Sequence, residues 1–180
     1  MTDATNNPNS QDIVADGNDA ANQYLTFFVE NEEYGIEILR VQEIKGWEQA
    51  TPIPHTPEHV LGVINIRGEI VPIVDLRTRF GLGHTEYSAT TVIIVVRMLA
   101  DEHERTVGLV ADAVSEVFRA GAEQVQPTPN LGTGISTDCI RGLATVQDRM
   151  VLLLDVDRLL DFNEIDQASE IETACETAST

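Results

Sequence analysis

A chain of 180 residues with 11 basic and 30 acidic side chains carries a formal net charge of −19 at pH 7, a field that opposes nucleic acid and anionic lipid heads. Its 42% hydrophobic content suits a packed core, and its length fits one domain or two small ones. Two cysteines, Cys139 and Cys175, cannot frame a disulfide scaffold, residues 1–22 lack the basic and apolar segments of a signal peptide, and the apolar runs at 92–96 and 150–154 are too short for a bilayer span.

A cytoplasmic protein without membrane insertion is the expectation. Ten of the 30 acids, and no Lys or Arg, fall in 1–22 and 161–180. These segments read as a disordered acidic tail and a C-terminal acidic tail around a folded unit at 23–160.

In chain order, the aromatic and β-branched run at 24–29, the polar turn at 30–33 and the alternation at 34–39 predict a β-hairpin. Residues 41–44 continue as a strand; a helix with Ile38, Val41 and Ile44 on one face is the alternative. Three prolines keep 52–57 irregular, and Thr56 with Pro57 could start one helical turn at 58–61. A second hairpin is expected from 63–66 and 70–74 around Arg67-Gly68, followed by a short helix at 76–80 capped by Asp75. Further on, 91–96 and 107–110 pair across a charged turn at 101–104. Pro127, Pro129 and the glycines at 132 and 134 mark a long loop, 151–154 form the last strand, and 155–162 a closing helix. Many short strands with Gly/Pro turns make this an all-β protein of small barrels.

The chain says nearly the same thing twice. Tyr34-Gly-Ile-Glu-Ile-Leu-Arg-Val-Gln-Glu-Ile44 matches Val107-Gly-Leu-Val-Ala-Asp-Ala-Val-Ser-Glu-Val117 at an offset of 73 residues (108 minus 35). Gly62-Val-Ile-Asn-Ile-Arg-Gly-Glu-Ile-Val-Pro-Ile-Val-Asp-Leu76 matches residues 142–156 at an offset of 80 (142 minus 62). Two ordered matches with a small drift indicate a duplicated β-unit, with the spare residues at 133–139.

Little in the chain resembles catalytic machinery. His55-Thr-Pro-Glu-His59 has the H-x-x-E-H spacing of a group of zinc peptidases, but that chemistry needs both histidines on one helix face, and Pro54 and Pro57 break it. A zinc hydrolase is therefore the disfavoured reading, and neither a catalytic triad nor a phosphate-cradling loop is present. No enzyme activity, cofactor or metal is expected.

Positions identical in both copies should serve the fold, and those that differ are available for function. Gly35/Gly108, Gly62/Gly142 and Asp75/Asp155 belong to the first class. Arg67, whose counterpart is Gln147, belongs to the second. Its guanidinium either contacts a partner or pairs locally with Glu69. Glu43 recurs as Glu116, which fits a structural role as well as a contact.

Residues 33–44, 62–77 and 107–117 together resemble the CheW family of bacterial chemotaxis coupling proteins, over about 23–160. The resemblance implies two five-stranded SH3- or OB-like β-barrels packed around a shared core. It also implies a non-catalytic adaptor coupling the cytoplasmic tips of transmembrane chemoreceptors to the regulatory domain of the histidine kinase CheA, in membrane-associated arrays. Carried over by position, Val41, Glu43, Ile44, Arg67, Val92 and Ile93 are expected to face receptors. Gly62 is tied to kinase binding, although packing shared with Gly142 fits it equally, and Val114 and Val117 are the expected kinase contacts on the second barrel. The tails are too short for the kinase or receiver domains to which such domains are also fused. A CheW-like adaptor of another chemosensory pathway, such as twitching motility, is the alternative.

Overall fold

The hairpin predicted at the start of the chain forms from β1 (Gln23–Val29) and β2 (Glu32–Glu37) in a computed structural model that describes residues 23–83, 86–100, 102–129, 137–161 and 163. The N-terminal tail, the Gly-rich stretch at 131–134 and, apart from Asp161 and Asn163, the C-terminal tail lie outside the described residues. The extended run expected through Leu39 stops two residues early. Ile38–Arg40 form a 3-10 turn, and the chain resumes as strand β3 (Val41–Gly46). A second hairpin, β4 (Val60–Ile66) and β5 (Glu69–Asp75), closes through Arg67 at φ 53 and Gly68 at φ 86, the left-handed pair that a two-residue turn needs. Helix α1 (Leu76–Arg79) follows, its first turn capped by Asp75 Oδ1, which accepts from the Arg77 amide at 3.0 Å.

The second half repeats this plan as β6 (Val92–Ala100), β7 (His103–Ala111), β8 (Ala113–Arg119), the short β9 (Val125–Gln126), β10 (Ile140–Val146), β11 (Arg149–Leu154) and helix α2 (Val156–Leu159). Three expectations need correction. No helical turn forms at 58–61, because the Thr56 hydroxyl donates to Ile53 O instead of capping and buried Val60 already pairs with Val74 as strand. The closing helix ends at Leu159, since Leu160 turns extended (φ −131, ψ 148) to reach the core. β6 and β7 run longer than drawn, because cross-strand pairs continue to Ala100 and His103.

The strands make two sheets, ordered β8-β1-β2-β11-β10-β9 and β3-β6-β7-β5-β4. Each sheet takes its central hairpin from one half of the chain and its flanking strands from the other. Strands β1, β2, β3, β4 and β5 correspond in place to β6, β7, β8, β10 and β11, so the duplication is built as an exchange between halves. Both chain-crossing parallel pairs carry the repeated glycine: Gly35 stands opposite Leu153 and Gly108 opposite Ile73. A Cβ at Gly35 would lie 3.0 Å from Leu153, and one at Gly108 would lie 2.5 Å from Ile73. Side chains from the neighbouring strand fill the space a larger residue would need, which explains why glycine recurs there.

Three apolar clusters follow. The largest joins Phe27, Tyr34, Ile36, Ile94, Met98 and Leu109 from both sheets with Leu159 of α2, and is the shared core. Smaller clusters fill each sheet's own concavity, one around Ile73, Ile93 and Val95, the other around Tyr24, Phe118 and Leu153. Each fully buried Ile, Leu or Phe contributes roughly 1.5–3 kcal/mol.

Candidate partner-binding surfaces

β3 lies at the end of its sheet, with β6 on one side only. Such an edge offers backbone groups and side chains of both faces to a partner. The register divides the residues expected to face receptors. Val41 stands opposite Val96 and Ile44 opposite Ile94, on the side of the large core; Glu43 stands opposite Val95, on the side of the smaller cluster. Val41 and Val92 pack partly against the large core, Ile44 is 44% exposed, and Ile93 is fully buried. Ile93 therefore supports the edge from beneath and presents no surface of its own.

Glu43 and Arg67 do come together. Arg67 Nη2 donates to Glu43 Oε2 at 2.7 Å, from a side chain that is 84% exposed at the hairpin tip. The local pairing with Glu69 considered from sequence is not the one formed. Around this ion pair lies a cleft lined by Gln42, Glu43, Ile66, Arg67, Val71 and Val95. Sequence reasoning missed Ile66 and Val95. Both are legible only once the register is known, because each alternates with a residue facing the other way.

β8 ends the other sheet as β3 ends its own. Here Val117 is 49% exposed, while Val114 packs partly against the large core. Glu116 pairs with Arg149 on the β10–β11 hairpin, and Arg149 Nη1 also lies 3.2 Å from Glu33 Oε2, whose side chain is buried. Glu43 and Glu116 thus do the same thing in each half, each holding an arginine of the facing hairpin.

Gly62 is buried, at φ 140, and a Cβ there would come within 1.9 Å of Thr51 O. Thr51 bridges Val63 on the path from β3 to β4, just as β9 pairs β10, where a Cβ at Gly142 would lie 2.8 Å from Gln126 O. Both glycines sit at register shifts, so each admits the segment that closes its sheet. Packing accounts for Gly62 without any partner contact.

One feature escaped the sequence altogether. Trp47, next after β3, stacks on Tyr87 with ring centroids 3.7 Å apart, and the Tyr87 hydroxyl donates to Asp75 Oδ2 at 3.1 Å. Burial, reinforced by the Asp75 charge, raises the Tyr87 phenol well above its ordinary range. The aromatic pair ties the loop before β6 down beside the edge strand.

The histidine pair sits in a different setting from the one zinc chemistry needs. Residues 54–59 run through turns, and exposed His55 has φ 65, so no helix face unites the two imidazoles. Among the described residues, no group of three His, Cys, Asp or Glu side chains is arranged to hold a metal ion, and no helix is long and apolar enough to cross a membrane.

Comparison with known proteins adds the family. A chemotaxis protein CheW of Klebsiella aerogenes is 42% identical over 149 residues, covering 83% of this chain and 87% of its own. One from Rhizobium meliloti is 37% identical over 81% of this chain and 92% of its own. The crystal structure of the scaffolding protein TtCheW from Thermoanaerobacter tengcongensis superposes with a TM-score of 0.71 at 34% identity, covering 79% of this chain and 90% of that one. With residues 23–164 matching the family model for the CheW-like domain, this chain belongs to the CheW-like family.

Proposed function

We propose that this chain is a non-catalytic chemotaxis adaptor that couples the cytoplasmic tips of transmembrane chemoreceptors to the regulatory domain of the histidine kinase CheA. The working unit is 23–160, flanked by acidic tails, and it acts in the cytoplasm at membrane-associated receptor arrays. The observation that carries this reading is the family match across 23–164, joined to the two sheet edges offered by β3 and β8.

Receptor binding is assigned to the β3 edge. Ile44, with Val41 and Val92 behind it, supplies apolar surface, and Glu43 with Arg67 supplies the charged rim that fixes the register of a helical partner. Kinase binding is assigned to the β8 edge through Val117 and Val114, while Gly62, in the sheet of β3, serves packing. Two surfaces of this size, each burying about 800 Å² or less per partner, give affinities around micromolar and depend on multivalency in an array.

Co-sedimentation tests this reading. Purified protein mixed with receptor signalling fragments in nanodiscs, with or without CheA, should enter both binary complexes and the ternary one. Substitutions on β3 should remove the receptor complex only, and those on β8 the kinase complex only. Retention of both complexes by a chain altered at both edges would overturn the proposal.

A further inference from the structure

Among the described residues the chain changes sheets twice, between β2 and β3 and between β7 and β8. Each crossing is held by the helix of the opposite half. Arg77 of α1 grips Asp112 at the second crossing, with Nε 2.8 Å from Oδ1 and Nη2 2.6 Å from Oδ2. The same carboxylate accepts the Glu30 amide at 2.6 Å, from the turn of the opening hairpin. At the first crossing the arrangement recurs with the charges exchanged. Asp157 of α2 accepts from Arg40 Nη2 at 2.7 Å, and its other oxygen accepts the Leu99 amide at 2.7 Å, from the end of the corresponding hairpin. Arg77 and Asp157 occupy equivalent positions, separated by the 80-residue offset of the repeat (157 minus 77).

From this exchange of sign we infer that the two crossings decide which half pairs with which. A duplicated chain faces a hazard that other chains do not: each half contains the strands to pair with the same half of a second copy. In that pairing Arg77 would meet Arg40, or Asp157 would meet Asp112. Like charges would face each other at every crossing. Only the pairing of first half with second half brings opposite charges together at both. None of the four side chains is more than 31% exposed, so solvent screens the repulsion only in part. The crossings thus favour the closed chain over an exchanged dimer.

The test converts one crossing into a copy of the other. Arg77→Asp combined with Asp112→Arg keeps an ion pair, and the new carboxylate on α1 is placed to take the Glu30 amide as Asp157 takes that of Leu99. Both helices then carry Asp and both crossings carry Arg, so like halves no longer repel. Each protein is unfolded in urea, refolded at increasing concentration and sized by chromatography with light scattering. The double variant should yield an exchanged dimer fraction several-fold above that of the parent. A fraction equal to the parent's would overturn the inference. Arg40→Asp with Asp157→Arg applies the same test at the other crossing, should the first pair not fold. Arg77→Asp alone should have a lower unfolding midpoint than Arg77→Met, and equal midpoints would also overturn it, because sign would then not matter.

Discussion

Arg67 Nη2 and Glu43 Oε2 stand 2.7 Å apart across the mouth of one sheet, joining the tip of the β4–β5 hairpin to the edge strand β3. The pair has a counterpart in Arg149 and Glu116, but there the arginine sits two positions further along its hairpin and is also tied to buried Glu33. One arginine is anchored on two carboxylates, and the other, at the exposed tip, is held by one. That asymmetry leaves Arg67 able to turn its donors toward an incoming acidic or carbonyl group.

Reversing Arg67 to Glu should therefore weaken binding to receptor tips by tenfold or more while changing fold stability by less than about 1 kcal/mol, the range of an exposed ion pair. Titration against receptor fragments and urea unfolding measure the two effects. Adding Glu43→Arg should restore the ion pair but not the binding, if partner recognition depends on which side carries the positive charge.

The duplicated blocks were readable because the constraint repeats with them: Gly35 and Gly108 face Leu153 and Ile73, and Asp75 and Asp155 each cap a helix. Strand-rich architecture followed from β-branched content. Which half supplied which strand did not, since parallel pairing of β5 with β7 and β11 with β2 depends on contacts far apart in sequence. The same limit hid Trp47–Tyr87 and put Ile93 on the surface in expectation, whereas it lies in the core. Charge at Arg67 and Glu43 was legible; their mutual distance was not.

Gly62→Ala tests the packing role. A methyl group would collide with Thr51 O at 1.9 Å, on backbone that has no room to yield, at a φ of 140 that disfavours any side chain. A loss of at least about 2 kcal/mol is expected, from strain plus displaced pairing. Gly142→Ala should cost less, because φ there is unexceptional and its contacts, the Val125 side chain at 2.7 Å and Gln126 O at 2.8 Å, are less severe than the 1.9 Å approach at Gly62. Urea midpoints of the two variants check the order.

Tyr34 gives a pH signature. Burial pushes its phenol up from 10.0 to about 12, with Glu32 adding to the shift. Between these values the unfolded chain loses the proton while the folded one keeps it. Stability is then complete below pH 10 and falls as pH rises, by up to about 1.4 kcal/mol per pH unit from this residue. Tyr34→Phe should flatten that part of the curve, leaving the contributions of Tyr24 and Tyr87, which are raised by burial too. Its hydroxyl has no hydrogen-bond partner among the described residues, so the substitution should not destabilise the protein at neutral pH.

Trp47 is the single tryptophan of the chain and lies one residue beyond the edge strand, its amide donating to Thr91 O at 3.2 Å. Its ring rests on Tyr87, and Tyr87 in turn holds Asp75, which is 2% exposed and caps α1. Tyr87→Phe keeps the stack but strips a donor from a buried carboxylate, at a cost of about 1–3 kcal/mol. Tyr87→Leu loses the stack as well, adding roughly 0.5–1.5 kcal/mol. Emission from Trp47 should stay close to that of the parent in Tyr87→Phe and shift in Tyr87→Leu. Because the indole adjoins β3, a receptor fragment docking on that edge should also change the emission, and an Arg67→Glu protein should need a proportionally higher concentration of fragment to reach the same change.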